Sequence, residues 1–259
     1  MKRLIFALIG LMVTVTPTVH AAMYDRDGIY FTCFSGTAGS ARTPLTLYRN
    51  DAPEYTQDAH WVTRAFGDSP YWLGRLERWD ADGGWGIEII HHKMYLNNPS
   101  GDIIDFSISD GLNTFLIDRA FRMDWGVLRL GAGWTVSHPD VSLVGRDRYW
   151  RNSGLSNWGF HPSGPTVQVS AERWFFEFAN YFVTFETKLT AAYITTPISN
   201  TPGEYARTSN LALHVDVGLG SKPVPENANL IDYGLFFLPY YFPNQIGDRL
   251  TPFLFSHTN

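Results

Sequence analysis

The stretch VLRLGAGWTVSH, residues 127–138, alternates between apolar residues and polar or small residues with a period of two. Successive side chains of a β-strand point to opposite faces, so this period predicts a strand with two chemically different faces. One face is apolar and includes an aromatic ring, and the other mixes a charge with small residues. The apolar face holds Leu128, Leu130, Ala132, Trp134 and Val136, opposite Val127, Arg129, Gly131, Gly133, Thr135 and Ser137.

The same alternation recurs on both sides of this stretch and brings the number of predicted strands to eight. Outer-membrane barrels join antiparallel strands by short periplasmic turns and long external loops in alternation. The connections follow that rule, with short ones near 80–84, 122–124 and 175–180 and long ones at about 38–70, 97–110, 139–164 and 195–209. The other seven predicted strands are Gly28–Gly36, Tyr71–Trp79, Trp85–Leu96, Gly111–Phe121, Thr166–Glu172, Tyr181–Tyr193 and Leu211–Leu219.

Two chemical features separate this pattern from a soluble β-sandwich, whose strands also alternate. The polar faces mix charges with glycine, alanine and serine, which is typical of a narrow lumen filled by side chains. Some apolar faces end in aromatic residues, as membrane-facing surfaces do at the two interfaces. The sequence therefore predicts an all-β fold, namely a transmembrane antiparallel up-and-down β-barrel of eight strands over residues 22–220.

The tail, residues 221–259, does not fit simply into this barrel. The segments 230–242 and 250–255 carry apolar residues that would make a ten-stranded barrel, which also has the even strand number of bacterial barrels. Pro239, Pro243 and Pro252 count against regular strand pairing. We favour eight strands followed by a C-terminal tail in the periplasm, with ten strands as the alternative.

The N-terminus predicts export across the inner membrane. Lys2 and Arg3 precede the apolar run 4–15, and small residues lead to Ala21. This is the pattern of a secretory signal peptide over residues 1–21, removed from the mature protein. With Cys33 as its single cysteine, the exported chain has no disulfide framework and no zinc site built on several cysteines.

The composition limits the class of partner. The 259 residues are 17% charged and 15% aromatic, with a formal net charge of -5. A net negative chain is a poor binder of nucleic acid, so we expect none as a partner. After the N-terminus no apolar run reaches the ~18 residues that a spanning helix needs.

Several stretches carry a resemblance to a known family: Gly28-Ile29-Tyr30-Phe31, Ser69-Pro70-Tyr71-Trp72, the run 85–93 (WGIEIIHHK), Asp110-Gly111-Leu112-Asn113 and Phe185-Glu186-Thr187-Lys188. Together they resemble the small eight-stranded bacterial outer-membrane β-barrel proteins that include lipid A oxidase-like members. The resemblance implies a location in the Gram-negative outer membrane. For its oxidase-like members it implies oxidation of lipid A with oxygen and a divalent metal, but it assigns no catalytic residue in this chain.

The polar strand faces place a set of charged residues inside the predicted barrel. Buried charges must be paired and hydrogen-bonded, because an isolated one costs several kcal/mol or more. We therefore predict a salt-bridge network that fills the lumen without an open channel. Its predicted members are Arg75, Glu77, Glu88, His92, Arg129, Glu172, Glu186, Lys188, His214 and Asp216.

We predict no metal site among these residues. His91 and His92 are adjacent on a strand and point to opposite faces, with His91 expected at the surface. Glu88 and His92 would need partners such as His214 or Asp216, which lie on a strand that is not adjacent. No cofactor is expected, and a divalent metal enters only if the chain is oxidase-like.

The third long loop is the candidate surface site. Its arginines suit phosphate groups, and its tryptophan suits sugar stacking or the membrane interface. We predict a lipopolysaccharide contact by Arg146, Arg148, Trp150 and Arg151. The leading expectation is a monomeric integral outer-membrane barrel with a charge-filled, non-conducting interior, serving envelope structure or surface interaction in contact with lipid and lipopolysaccharide. The alternative is a lipid A-modifying enzyme, and whether the chain is an enzyme stays open.

Overall fold

The wall of the molecule is one closed antiparallel sheet. The computed structural model describes residues 24, 27–65, 70–150 and 158–223. Each long strand pairs with the next along the chain, and the first pairs with the last from Phe31↔Ser221 to Ser40↔Ala212, which closes the barrel. The eight wall strands are β1 Gly28–Ser40, β5 Trp72–Asp80, β6 Gly83–Leu96, β7 Ile103–Met123, β8 Gly126–Leu143, β9 His161–Phe178, β10 Tyr181–Pro197 and β11 Tyr205–Ser221.

This closure confirms the predicted eight-stranded barrel. Where β1 pairs with β11, the wall has no free strand edge. Closing the barrel therefore needs no strand from the tail. None of the described segments is a helix long and apolar enough to span a membrane. The predicted signal peptide at 1–21 and the tail beyond residue 223, with its candidate strands, lie outside the described residues.

The first long connection is not the plain loop that we expected over 38–70. It contains three short strands, β2 Thr43–Tyr48, β3 Tyr55–Ala59 and β4 Trp61–Val62. Because β1 ends at Ser40 opposite Ala212, the start of β11 extends beyond its wall partner. The hairpin of β2 and β3 covers that edge by pairing β2 with residues 205–208, and β4 pairs with the end of β6.

The strands also extend further toward the long loops than predicted. We expected connections over 97–110 and 139–164, but β7 already begins at Ile103 and β9 at His161. The prolines in this region, such as Pro139 and Pro162, pair near shifts of strand register. Bulges tolerate proline, which cannot donate a backbone hydrogen bond, so the sheet continues through these positions.

Short turns lie at the opposite end of the barrel, as the sequence predicts. The turns after β5, β7 and β9 contain two residues each. The first of them is fixed by Asp80, whose Oδ1 accepts a hydrogen bond from the backbone N–H of Asp82 at 2.9 Å. At Gly83, which follows, φ is +123°, a value that favours glycine because it has no Cβ.

Side chains inside the barrel form three layers. At the turn end, aromatic rings pack around Tyr24, which stacks on Trp79 at 4.1 Å between ring centroids. The middle layer holds buried charges. At the loop end an apolar cluster joins the wall to the inserted strands through Trp61 and Phe106, whose centroids are 5.9 Å apart.

The outer face of the wall is apolar and exposed. Ile117, Leu130 and Val167 expose about half or more of their surface, and aromatic residues lie at both ends of this band. Toward the loops these rings are Phe115, Trp134 and Tyr193, and toward the turns they are Trp85, Phe121, Trp125, Phe175, Phe176 and Phe178. Apolar residues thus cover the outside of the barrel, while the charges of the middle layer lie inside it.

Candidate functional site in the barrel interior

Arg75 of β5 lies at the centre of the charged layer. Its Nε donates to Glu88 Oε2 at 2.6 Å, and its Nη2 donates to Glu186 Oε2 at 2.5 Å. Its Nη1 lies 3.2 Å from Glu172 Oε2. One guanidinium therefore joins carboxylates from three other strands, β6, β9 and β10, across the width of the lumen.

Arg129 of β8 forms the second centre, nearer the turn end. It binds Glu77 through two hydrogen bonds, Nε to Oε1 at 2.7 Å and Nη2 to Oε2 at 2.8 Å. Its Nη1 is ion-paired with Glu172, and its Nη2 also donates to the Tyr24 hydroxyl at 2.9 Å. Tyr24 thereby connects the aromatic layer to the charged one.

Lys188 of β10 completes the layer. Its Nζ is bonded to Glu88 and lies 3.0 Å from Glu186 Oε1. Three cations therefore face four glutamates, each of them buried. Removing one of these ions would leave its partners unpaired in the interior, where an unpaired charge costs several kcal/mol. Each charge in the layer therefore depends on the others.

Strand register brings these residues together. Arg75 lies opposite Glu88 in the pairing of β5 with β6, and the two residues form a salt bridge. Glu172 and Glu186 lie opposite each other in the pairing of β9 with β10, which by itself would be repulsive. Arg75 from the far wall and Arg129 from the neighbouring strand β8 relieve this repulsion, because both guanidinium groups bind the two carboxylates.

A second polar group lies on the loop side of the charged layer. The Tyr71 hydroxyl lies 2.9 Å from His214 Nδ1 and donates to Asp216 Oδ2 at 3.4 Å. The rings of His92 and His214 are 5.2 Å apart. We expected these histidines to be separated because their strands are not neighbours, and this was wrong: in so narrow a barrel, side chains meet across the lumen.

The histidine group does not form a ligand set for the divalent metal implied by the resemblance. His214 Nε2 lies 2.9 Å from the Thr190 hydroxyl, and its Nδ1 is taken by Tyr71. His92 Nε2 lies 2.9 Å from the Thr63 hydroxyl. In the part of the chain that the structure describes, no three His, Cys, Asp or Glu side chains are arranged to hold a metal ion. The residues present therefore do not fit that group.

The structure places all ten sequence-predicted lumen residues inside the barrel and buries them. Sequence reasoning missed Asp118 and Gln168, which join at 2.5 Å, and it missed Tyr24 and Tyr71. The sequence does indicate that Asp118 faces the lumen, because Leu116, Asp118 and Ala120 alternate with apolar residues that are exposed. No such alternation covers Tyr24, because it precedes the first strand.

His91 is not the surface residue that we expected. Its ring stacks on Trp72 at 5.7 Å and 13°, and its Nδ1 lies 2.9 Å from Asn113 Oδ1. Gly111, at a φ of +110°, lies beside the ring, where a Cβ would come within 2.5 Å of it. The outward face of β6 is thus covered at this point by its neighbouring strands.

Two of the loop residues predicted to contact lipopolysaccharide, Arg146 and Arg148, pair with carboxylates. Arg146 binds Glu204 through two hydrogen bonds and Asp51 through an ion pair. The hydrogen bonds from Arg146 lower the pKa of Glu204 to about 2. Arg148 binds Asp140 through Nε at 2.7 Å.

These arginines line a cavity of about 460 Å³ between the loops at 143–149 and 198–201. The guanidinium of Arg148 also lies 5.4 Å from the ring of Trp150. Arg151 lies outside the described residues. The contact of this loop with lipopolysaccharide stays a prediction.

No protein-family model matches the chain, and no curated protein matches it. Three solved structures of similar fold are the outer membrane protein OprG from Pseudomonas aeruginosa, AlkL in lipid bilayers and Neisserial surface protein A. Their identities are 11%, 10% and 10%, and their TM-scores are 0.38, 0.40 and 0.34. The alignments cover 78%, 83% and 75% of this chain and 100%, 99% and 97% of theirs.

Proposed function

We propose that this chain is an integral outer-membrane β-barrel protein with a closed, charge-filled interior, which serves envelope structure or surface interaction. One observation carries the proposal: polarity is inverted relative to a soluble barrel. Buried charges such as Arg75 and Glu172 lie inside, while apolar residues such as Ile117 and Leu130 are exposed around the wall. Such an apolar exterior is unfavourable in contact with water and favourable in contact with the acyl chains of a lipid bilayer.

The layers of side chains inside the barrel support a closed interior. Arg75 reaches across the lumen to Glu172, and Arg129 reaches across it to Glu77. Tyr24 and its aromatic neighbours pack beneath them. An eight-stranded barrel has an interior just wide enough to be filled by side chains. A filled lumen favours a structural or surface role over passage of solutes.

The proposal is tested by refolding the full chain into lipid vesicles and planar bilayers. We expect it to resist alkaline extraction from the vesicles, because its apolar wall faces the acyl chains. In planar bilayers we expect no ion-conducting steps above those of the protein-free membrane. Extraction of the folded protein at high pH would contradict membrane integration, and regular conductance steps would contradict the closed interior.

A further inference from the structure

The arginines on the loop side of the barrel fall into two classes. Six of them lie in the described part of this region, and four pair with a carboxylate: Arg42 with Asp58, Arg49 with Asp102, Arg146 with Glu204 and Arg148 with Asp140. Arg64 and Arg207 have no carboxylate within salt-bridge distance among the described residues. Both face tyrosine rings, and Arg207 faces three of them.

The tyrosine cluster consists of Tyr48, Tyr193 and Tyr205 around the guanidinium of Arg207. The guanidinium carbon lies 5.1 Å from the centre of the Tyr48 ring, 5.5 Å from that of Tyr205 and 5.9 Å from that of Tyr193. The rings of Tyr48 and Tyr205 stack at 4.6 Å. β2, β10 and β11 each supply at least one residue, so the cluster exists only because the inserted hairpin pairs with β11.

The hydrogen-bonding capacity of Arg207 is largely unused. Its Nη1 donates one long hydrogen bond, 3.5 Å, to the Tyr48 hydroxyl, and its buried Nε has no hydrogen-bond partner among the described residues. A guanidinium carries five N–H donors, and a buried donor without a partner costs free energy. The rings hold the cation in place electrostatically but supply no anionic acceptor.

The tyrosine cluster lies at the loop-side edge of the apolar band. Tyr193 is 45% exposed, and Leu211, four residues from Arg207 on the same face of β11, belongs to the exposed apolar surface. The exposed rings of Phe115 and Trp134, cross-strand partners on β7 and β8, lie on the same outer face of the wall. In a bilayer this edge is where acyl chains end and headgroups begin.

We propose that Arg207 and the tyrosine cluster bind the phosphate-bearing sugar headgroup of an outer-leaflet glycolipid. The guanidinium would bind the phosphate, because its paired N–H donors match the geometry of the phosphate oxygens. The exposed ring of Tyr193 would stack on the sugar. The inference rests on the proposed function, since it needs the wall to be in a membrane. The main headgroup contact would then lie on the wall and not at Arg146 and Arg148, which carboxylates neutralise.

The test is binding of bisphosphorylated lipid A to the full chain refolded in zwitterionic detergent micelles, measured by titration with native mass spectrometry. We expect Arg207→Ala to weaken binding at least about tenfold, the size of one charge-assisted contact. Arg207→Lys should fall in between, because it keeps the charge and loses the planar fork. Arg42→Ala is the matched control, since it removes one positive charge from the same side without touching the cluster.

Two further ligands define the chemistry. Lipid A without phosphates should bind at least tenfold more weakly to the wild type, and phosphatidylglycerol should also bind more weakly because it lacks the sugars. Equal affinity of folded Arg207→Ala and wild type, or equal loss in Arg42→Ala, would overturn the site. Equal affinity for phosphatidylglycerol would overturn the glycolipid assignment. Resistance of each refolded variant to alkaline extraction from vesicles, measured separately, distinguishes these outcomes from failure of the proposed function.

Discussion

At the scale of single residues, Arg75 is the side chain on which most others in the lumen depend. Replacing it with alanine leaves Glu88, Glu172 and Glu186 without their shared cation in a buried layer. We expect Arg75→Ala to lower the free energy of unfolding by about 3–5 kcal/mol, the usual cost of breaking a buried ion pair. Urea unfolding of the barrel from lipid vesicles measures this.

The control for this prediction is Arg42→Ala, which breaks the exposed pair with Asp58 and should cost at most about 1 kcal/mol. Replacing Arg75 by methionine together with Glu172→Gln removes one cation and one carboxylate. Arg129 then keeps Glu77, and Lys188 keeps Glu88 and Glu186, so this double variant should recover part of the loss. An Arg75→Ala barrel as stable as the wild type would show that the layer tolerates unpaired carboxylates, contrary to our account.

Gly131 tests how tightly the lumen is filled. A Cβ at this position would lie 2.0 Å from Asp118 Oδ1 and 2.8 Å from Gln168 Cγ, on the inward face. We expect Gly131→Ala to destabilise the barrel by about 1–3 kcal/mol, as overpacking does in cores. Gly39→Ala is the control, because nothing lies within 4 Å of its added Cβ. The unfolding midpoints of the two variants in urea measure this difference. Equal shifts would mean that the lumen has room for the added methyl group.

At the scale of elements, strand facing could be predicted from sequence and strand length could not. The period-two pattern of 127–138 puts Arg129 and Trp134 on opposite faces, and the structure has them buried and exposed respectively. The ends of the strands depend instead on partners far along the chain. β11 starts at Tyr205 because β2 is there to pair with it, which no local pattern of either segment reveals.

The candidate site shows the same division. Alternation alone assigns Glu172 and Lys188 to the lumen face, because each strand carries its own facing signal. Which cation meets which carboxylate depends on barrel width and strand stagger, so the contact of Arg75 with Glu172 is a property of the closed sheet. The approach of His92 to His214 across the lumen is of the same kind.

The loops at 144–150 and 198–204 are joined by the bond between Arg146 and Glu204, and this makes their order depend on pH. The hydrogen bonds from Arg146 lower the pKa of Glu204 from 4.5 to about 2. A carboxyl group with a lowered pKa contributes its stabilisation fully above about pH 4.5 and loses it as the pH falls toward 2. We expect amide exchange in both loops, corrected for its intrinsic pH dependence, to stay slow down to about pH 4.5 and then to quicken.

Glu204→Gln is the matched variant, since the amide keeps the shape of the side chain and has no charge to titrate. Its loops should exchange faster than those of the wild type at pH 7, with little further change on acidification. If wild-type and variant loops responded to pH identically, the bond between Arg146 and Glu204 would not be what joins the loops.

At the scale of the whole molecule, the inverted polarity should make the cost of a charge on the wall depend on its height. Ile117 and Ile104 both belong to β7 and are 63% and 59% exposed, so a soluble barrel would treat them alike. The register shifts in β7 shorten the distance between them, which spans about ten residues on the paired strand β8, from Ala132 to Ser142. That is roughly 33 Å along the strand, so the two positions cannot both lie near the middle of a ~25 Å apolar band. Ile117 lies within the band, beside exposed Leu130, and Ile104 lies toward the loops.

We therefore expect Ile117→Lys to destabilise the barrel in lipid vesicles by about 2–4 kcal/mol and Ile104→Lys by at most about 1 kcal/mol, because the cost of a lysine falls from the bilayer midplane to its interface. Urea unfolding of both variants from vesicles measures the difference. In micelles of a short-chain detergent, which deforms around a charge, the difference should shrink. Equal destabilisation of both variants in vesicles would mean that lipid does not surround the wall at Ile117, and the membrane assignment would then be wrong.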